Sequence, residues 1–165
     1  MMNEAYIDGQ NLWLGTTEAD SPWTVDLCKF RNYLKRKYDI SKAYYYMGVY
    51  TLEHQDIYDE IMDCGFLIRF REHSNQMYSP KKGNVDTDIV FGLMSRYADK
   101  LLKGKAILVS GDGDYFRMVK YLIENGKFLK LLAPNKNRIS SLYKHLSSQY
   151  YDYLDSEDIK RKIAK

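Results

Sequence analysis

Four aspartates occur where the sequence could bring them together to hold a divalent cation. Asp8 follows a short apolar run at residues 5–7, and Asp112 and Asp114 follow another at residues 106–109. Asp86 begins a segment with helical spacing of apolar residues. Carboxylate oxygens are the ligands that Mg²⁺ and Mn²⁺ prefer, and a bound ion offsets the repulsion among them. These residue types predict a metal site.

Each aspartate also has a purely structural interpretation. Asp8 could shape a turn, Asp112 and Asp114 could form a turn and a helix N-cap, and Asp86 could be a favourable charge at a helix N-terminus. Asp88 lies two positions after Asp86, so on a helix it points to a different side. We therefore expect that Asp88 does not bind the metal directly and lies, at most, behind the direct ligands.

The surrounding pattern predicts the elements that would position these side chains. Apolar strand-like runs alternate with segments of helical spacing, which favours an α/β fold with a mostly parallel sheet and helices on both faces. Residues 5–7 and 106–109 should be adjacent central strands, and ligands of such sheets bind beyond the carboxyl ends of the strands. Other expected features are strands at 43–50, 66–70, 128–132 and 150–154, loops at 13–23 and 72–84, and a helix carrying Ile139, Leu142 and Leu146.

Composition narrows the class of protein. The chain has 165 residues, 45% of them hydrophobic, and a net charge of +3, which suits one domain and is compatible with a polyanionic partner. No apolar run approaches a membrane span, no secretory signal is evident, and no glycine-rich nucleotide-binding motif occurs. Cys28 and Cys64 have no metal-binding spacing, so we expect buried, reduced thiols in a cytoplasmic protein.

Three segments together resemble the signatures of the NYN domain family, of the PIN-like nuclease fold, and its LabA-like bacterial branch. Residues 6–11 read YIDGQN, residues 82–88 read KGNVDTD, and residues 109–115 read VSGDGDY. The resemblance covers about residues 4–135. It implies a single domain over residues 1–165, with a C-terminal helical extension at about 136–165.

The resemblance also implies a three-layer PIN-like fold and assigns roles to matching residues. It places the metal ligands, for Mg²⁺ or Mn²⁺, at Asp8, Asp86, Asp112 and Asp114. Asn11 and Ser110 match family positions that we expect to contact substrate, and Lys82 could meet a phosphate beside the metal. The chain departs from many relatives at Gly92, near which they carry another acidic residue.

The function that these expectations favour is a metal-dependent endonuclease hydrolysing RNA phosphodiester bonds. An alternative is a non-catalytic RNA-binding or regulatory module with the same fold. A Toprim-like domain ranks last, because it would need a catalytic glutamate where the chain has Asp8. We expect single-stranded RNA as the partner, with no membrane and no nucleotide cofactor. The sequence leaves the RNA target and the oligomeric state open.

Overall fold

The structure is a computed structural model that describes residues 2–71 and 85–165. Its framework is a six-stranded sheet in the order β3-β2-β1-β4-β5-β6, in which every pairing of neighbouring strands is parallel. The predicted parallel sheet is therefore confirmed. The strands are β1 (Asn3–Asp8), β2 (Ile40–Met47), β3 (Leu67–Phe70), β4 (Ala106–Val109), β5 (Phe128–Ala133) and β6 (Tyr151–Tyr153).

The two strands predicted to lie at the centre do lie there, side by side. Ile7 of β1 is in register with Val109 of β4, and all side chains of both strands are buried. Continuous apolar burial on both faces is typical of central parallel strands. Asp8 and Ser110, the residues at the carboxyl ends of this pair, are therefore brought to the same edge of the sheet.

Helices cover both faces of the sheet, and the sheet separates two hydrophobic cores. They are α1 (Gly9–Thr17), α2 (Leu27–Tyr38), α3 (Gln55–Asp63), α4 (Asp86–Ala98), α5 (Phe116–Glu124) and α6 (Glu157–Ile163). Because side chains alternate along a strand, Ala5 and Ile7 join the core of α1, α2, α3 and α6, whereas Tyr6 joins that of α4 and α5. The expected three-layer α/β architecture is thus confirmed.

Two local predictions were wrong. Residues 13–17 were expected in a loop but complete α1, because Asp8 accepts a hydrogen bond from the Asn11 backbone N–H and caps the helix directly after β1. The helix expected around Leu142 is a short 3₁₀ segment, Ser141–His145. The strand predicted near the C-terminus is confirmed, since Leu131 to Ala133 of β5 pair with β6.

The expectation for the cysteines was also wrong. Cys28 in α2 and Cys64 at the end of α3 form a disulfide with a Cα–Cα distance of 4.6 Å. The cytoplasmic location expected from the sequence stays a prediction. None of the helices in the described part of the chain is long and apolar enough to cross a membrane.

Candidate metal centre

The sheet topology creates a crevice at the carboxyl ends of β1 and β4. The chain leaves β1 towards β2 on one side and leaves β4 towards β5 on the other. Ligands bind at such switch points because the diverging connections leave space above the strand ends. Asp8 ends β1, and Ser110 begins the turn after β4. The predicted site residues of these two segments therefore lie in this crevice.

Three of the four predicted ligands form a compact cluster. Asp86, Asp112 and Asp114 each offer a carboxylate oxygen, and these atoms lie within 4.8 Å of one another. Asp86 is buried, Asp112 is half-buried and Asp114 is exposed, so the cluster runs from the interior to solvent. An all-oxygen donor set of this size fits a hard divalent cation that retains water ligands.

The turn after β4 places two of these ligands. The Asp112 carboxylate accepts a hydrogen bond from the Asp114 backbone N–H at 2.9 Å and caps the 3₁₀ segment Gly113–Tyr115. The buried Tyr143 hydroxyl donates to the Asp112 carbonyl oxygen. The structural interpretation of Asp112 as a cap is therefore correct, and it is compatible with metal binding because a carboxylate has lone pairs to spare.

Asp8 lies beside this cluster and is held by uncharged donors. Its side chain is almost fully buried and accepts from the Asn11 backbone N–H at 3.1 Å, from Ser110 Oγ at 3.4 Å and from the Tyr115 hydroxyl at 3.0 Å. Burial raises the pKa of Asp8, the three hydrogen bonds oppose this, and the Asp112 charge adds to it.

Tyr115 is a site residue whose role the sequence did not reveal. Its fully buried hydroxyl lies 3.0 Å from Asp8 Oδ2 and 2.8 Å from Asp86 Oδ1, and it donates its single proton to one of them at a time. Burial and the two carboxylates raise the pKa of Tyr115 far above its usual range, so the phenol stays protonated. Tyr115 ends the third signature segment, but no sequence pattern predicts that its hydroxyl meets two carboxylates.

Asn11 and Ser110 connect the first turn of α1 with the turn that follows β4. Asn11 Oδ1 accepts from the Gly111 backbone N–H at 2.9 Å, while Ser110 Oγ accepts from the Asp112 backbone N–H at 3.1 Å and donates to Asp8. These contacts give both side chains a role in holding the site together. Their predicted contact with substrate stays a prediction.

The remaining predicted residues lie outside the cluster. Lys82 falls outside the described residues. Asp88 is half-buried and does not belong to the group of clustered carboxylates in the described part of the chain. At Gly92, a Cβ would collide with the hydroxyl of Tyr46. Tyr46 packing therefore explains the missing acidic residue, because α4 has no room for a side chain there.

An apolar groove of about 690 Å³ lies next to the crevice, on the opposite side of α1 from Asn11. The residues that line it include Gly9 and Gln10, directly after Asp8, and Met47 and Val49 near the end of β2. Trp13 also lines the groove with 59% of its surface exposed. The groove thus offers a large exposed aromatic surface on the face of the sheet that carries α1 and α3.

Comparison with known proteins agrees with this architecture. The family model of the NYN domain matches residues 5–154, nearly the whole chain, so the protein belongs to the NYN domain family. A Vibrio parahaemolyticus protein of unknown function has a similar crystal structure, with a TM-score of 0.77 and 17% sequence identity over 99% of this chain and 96% of that one. This likeness shows the shared fold. No curated protein sequence matches.

Family and site define a class of protein. NYN domains belong to the PIN-like nuclease superfamily, and the acidic cluster of this chain fits a nuclease and could hold a divalent metal.

Proposed function

We propose that this protein is a metal-dependent endoribonuclease that hydrolyses RNA phosphodiester bonds in the crevice at the carboxyl ends of β1 and β4. The observation that carries the proposal is the cluster of Asp86, Asp112 and Asp114 at the topological switch point of an NYN domain. Carboxylates placed so closely repel one another, which costs stability unless a cation joins them. Capping explains the position of Asp112 but not why its carboxylate lies next to those of Asp86 and Asp114.

The chain's own residues divide the work of such a site. Asp86, Asp112 and Asp114 would hold Mg²⁺ or Mn²⁺ through single carboxylate oxygens, with Asp8 close by as the fourth acidic group. The chemistry that the bound ion supplies is activation of a water for attack at phosphorus and stabilisation of the departing oxygen. Asn11 and Ser110 hold the first turn of α1 and the turn after β4 together, so the ligands stay in place while the substrate binds.

The groove beside the crevice supports single-stranded RNA as the substrate. Bases of a single strand are free to stack on aromatic side chains, whereas bases of a duplex are not. Trp13 offers such a surface, and the groove begins one residue after Asp8. A strand whose phosphate lies at the cluster could therefore place a neighbouring base against Trp13. Lys82 is our candidate for a phosphate contact.

A non-catalytic RNA-binding module is the second candidate function. The observation that favours it is the close packing of Tyr46 on Gly92, which leaves α4 without room for a further acidic side chain there. Turnover of a labelled single-stranded RNA with Mn²⁺ or Mg²⁺, compared with chelator, separates the two functions. We expect metal-dependent cleavage, whereas RNA binding without any cleavage would favour the second candidate.

The replacement Asp112→Asn tests the metal site directly. The amide can still cap the turn, but it removes one negative charge from the cluster. Saturating Mn²⁺, about a hundredfold above its dissociation constant, should stabilise the parent by about 2.7 kcal/mol and the variant much less. In chelator the variant should be at least as stable as the parent, because repulsion is relieved. Urea denaturation with chelator and with Mn²⁺ measures both effects.

Asp26→Asn is the matched control for Asp112→Asn. Asp26 caps α2 by accepting from the Lys29 backbone N–H at 3.0 Å, so the same replacement there tests capping without the cluster. It should respond to Mn²⁺ as the parent does. If Asp112→Asn also responds like the parent and cleaves RNA at the same rate, Asp112 is only a cap and the assignment of the metal site to this cluster fails.

The replacement Trp13→Ala tests the substrate. Loss of one base-stacking surface costs about 1–3 kcal/mol, so affinity for single-stranded RNA should fall about fivefold or more. Tyr121→Ala removes an exposed ring near the end of α5, on the other face of the sheet, and should leave affinity unchanged. Fluorescence anisotropy in chelator measures binding without cleavage. Equal affinities of parent and Trp13→Ala would exclude stacking in the groove.

A further inference from the structure

The disulfide between α2 and α3 lies at the surface, among carboxylates. Cys28 is exposed and Cys64 is half-buried, and both line an open depression of about 520 Å³. Among the described residues, every other one that lines this depression is acidic: Asp26, Asp56, Asp59, Glu60 and Asp63. A thiol in solution can reach an exposed disulfide, which is the first condition for thiol–disulfide exchange.

Three cations near the disulfide offset only part of this negative charge. The Arg31 guanidinium donates to the Gly65 carbonyl oxygen at 3.0 Å, and Lys165 lies 3.8 Å from a Glu60 carboxylate oxygen. Lys29, next to the exposed cysteine in the sequence, donates to a backbone carbonyl oxygen near the C-terminus at 3.0 Å. The five carboxylates outnumber these cations, so a thiol that approaches the disulfide meets a negative surface.

The disulfide also connects two segments that form the apolar groove. Leu27, the neighbour of Cys28, lines the groove, and so do Glu60 and Ile61 of α3, which lie shortly before Cys64. Glu60 lines both the groove and the acidic depression, so the two cavities share α3 as a wall. The covalent bond therefore holds α3 against the start of α2 at the back of the groove.

We propose that the Cys28–Cys64 disulfide is a thiol-exchange site that favours reductants with positive or no charge beside the reacting sulfur, and that its reduction loosens the α3 wall of the groove. The reductant is a dithiol. One of its thiolates attacks Sγ of the more exposed Cys28, and Cys64 leaves as a thiolate that takes up a proton. The second thiol of the reductant then releases Cys28, so the dithiol is oxidised to a disulfide as the protein is reduced.

Reduction kinetics of the folded protein test the selection by charge. Cysteamine carries an ammonium group beside its thiolate, whereas mercaptoacetate carries a carboxylate. Each rate is divided by the rate of the same thiol with hydroxyethyl disulfide, which is uncharged, so that differences in thiol pKa cancel. Cysteamine should then be preferred about tenfold at low salt, and high salt should remove the preference because ions screen the carboxylates. Equal normalised rates, or a disulfide that no thiol reduces in the folded protein, would overturn the proposal.

The double variant Asp56→Asn/Asp63→Asn shows whether the acidic depression causes the preference. Neither side chain has a hydrogen bond or ion pair with another described residue, so the change removes charge and little else. The preference for cysteamine should fall to about threefold. Asp99→Asn/Glu124→Gln removes the same charge from the ends of α4 and α5, on the other face of the sheet, and should keep the preference of the parent. Equal preferences in the two double variants contradict the proposal.

Hydrogen exchange of the oxidised and the reduced protein, followed by mass spectrometry, tests the loosening of the groove. Reduction should raise the exchange rate in α3 by about tenfold or more and leave α4 unchanged. Cys28→Ser/Cys64→Ser should resemble the reduced parent with or without thiol. Equal increases in α3 and α4 would mean that the disulfide only adds global stability, and no increase would mean that packing alone holds α3. Either result overturns the second part of the proposal.

These measurements need no RNA, so they separate the inference from the proposed function. If the groove binds single-stranded RNA, reduction should also weaken that binding, and fluorescence anisotropy of the oxidised and reduced protein measures the change. A protein that shows the charge preference and the loosened α3 but binds no RNA in either state supports the inference and overturns the proposed substrate. RNA binding by a protein whose α3 exchanges equally in both states does the reverse.

Discussion

The two ends of β1 each hold a buried carboxylate, and the chain treats them in opposite ways. Glu4, at the amino end, accepts two hydrogen bonds from the Arg96 guanidinium, at 2.6 and 2.9 Å, and one from Tyr6. Asp8, at the carboxyl end, receives only uncharged donors among the described residues. One end of the strand is neutralised by the protein itself, whereas the other lies beside further negative charge.

This difference distinguishes a structural charge from one that suits a ligand. Burying an ion is costly, and a bidentate guanidinium offsets that cost within the fold. At the carboxyl end, by contrast, Asp8 lies beside the clustered carboxylates of Asp86, Asp112 and Asp114. A divalent cation would offset the negative charge of such a cluster, which is why we place the proposed metal site at the carboxyl end and assign the amino end to the core.

The largest loss of stability should follow from Arg96→Met, which breaks the ion pair between Arg96 and Glu4. Glu4 would then be a buried carboxylate without its cation, and removal of one partner of such a pair costs about 3 kcal/mol or more. Urea denaturation should show this loss equally in chelator and in Mn²⁺. The double variant Glu4→Gln/Arg96→Met should recover part of it. A loss of stability that Mn²⁺ reverses would contradict our distinction between a structural charge at Glu4 and a ligand site at Asp8.

A smaller effect, a gain in stability, should follow from Asp8→Asn when stability is measured in chelator. The asparagine Oδ1 can still cap α1, and Nδ2 can donate to the Tyr115 oxygen. Burial raises the pKa of Asp8 above its usual value of 3.8, so ionisation disfavours the folded state. The stability that protonated Asp8 contributes is lost as pH rises through the folded-state pKa.

The stability of Asp8→Asn relative to the parent should therefore increase with pH in that window, to a gain on the order of 0.5–1 kcal/mol at neutral pH. Denaturation curves at several pH values between 3.5 and 7, on the order of one unit apart, give the trend. Glu4→Gln is the control, and it should be less stable than the parent at neutral pH, because it leaves Arg96 without its charge partner. A constant difference between Asp8→Asn and the parent at every pH would show that Asp8 is not destabilised by its charge.

The smallest effect should come from an exposed carboxylate. Asp158 in α6 contacts Arg161 at 3.4 Å and Lys162 at 3.3 Å, and all three side chains are mostly exposed. Solvent screens such pairs, so Asp158→Ala should cost less than about 0.5 kcal/mol. Thermal melting at low and at high salt measures this. A cost close to that of Arg96→Met would mean that burial does not set the strength of the ion pair between Glu4 and Arg96.

Sequence patterns determined the strand order at the centre and the candidate ligands. Continuous apolar runs at residues 5–7 and 106–109 can only be buried on both faces, so adjacent central strands followed from local sequence. The carboxyl ends of parallel strands meet at one edge, which placed Asp8 and Asp112 in the same crevice. These inferences needed only periodicity and the handedness of parallel connections.

Contacts between segments distant in the chain were decided by the tertiary structure alone. The disulfide joins residues 36 positions apart, and no spacing rule relates Cys28 to Cys64. The Tyr115 hydroxyl meets Asp8 across 107 positions and Asp86 across 29, and the packing of Tyr46 on Gly92 likewise joins separate elements. A sequence gives the residue type at each position. Which polar groups share a hydrogen bond depends on distances of a few ångströms that packing alone sets.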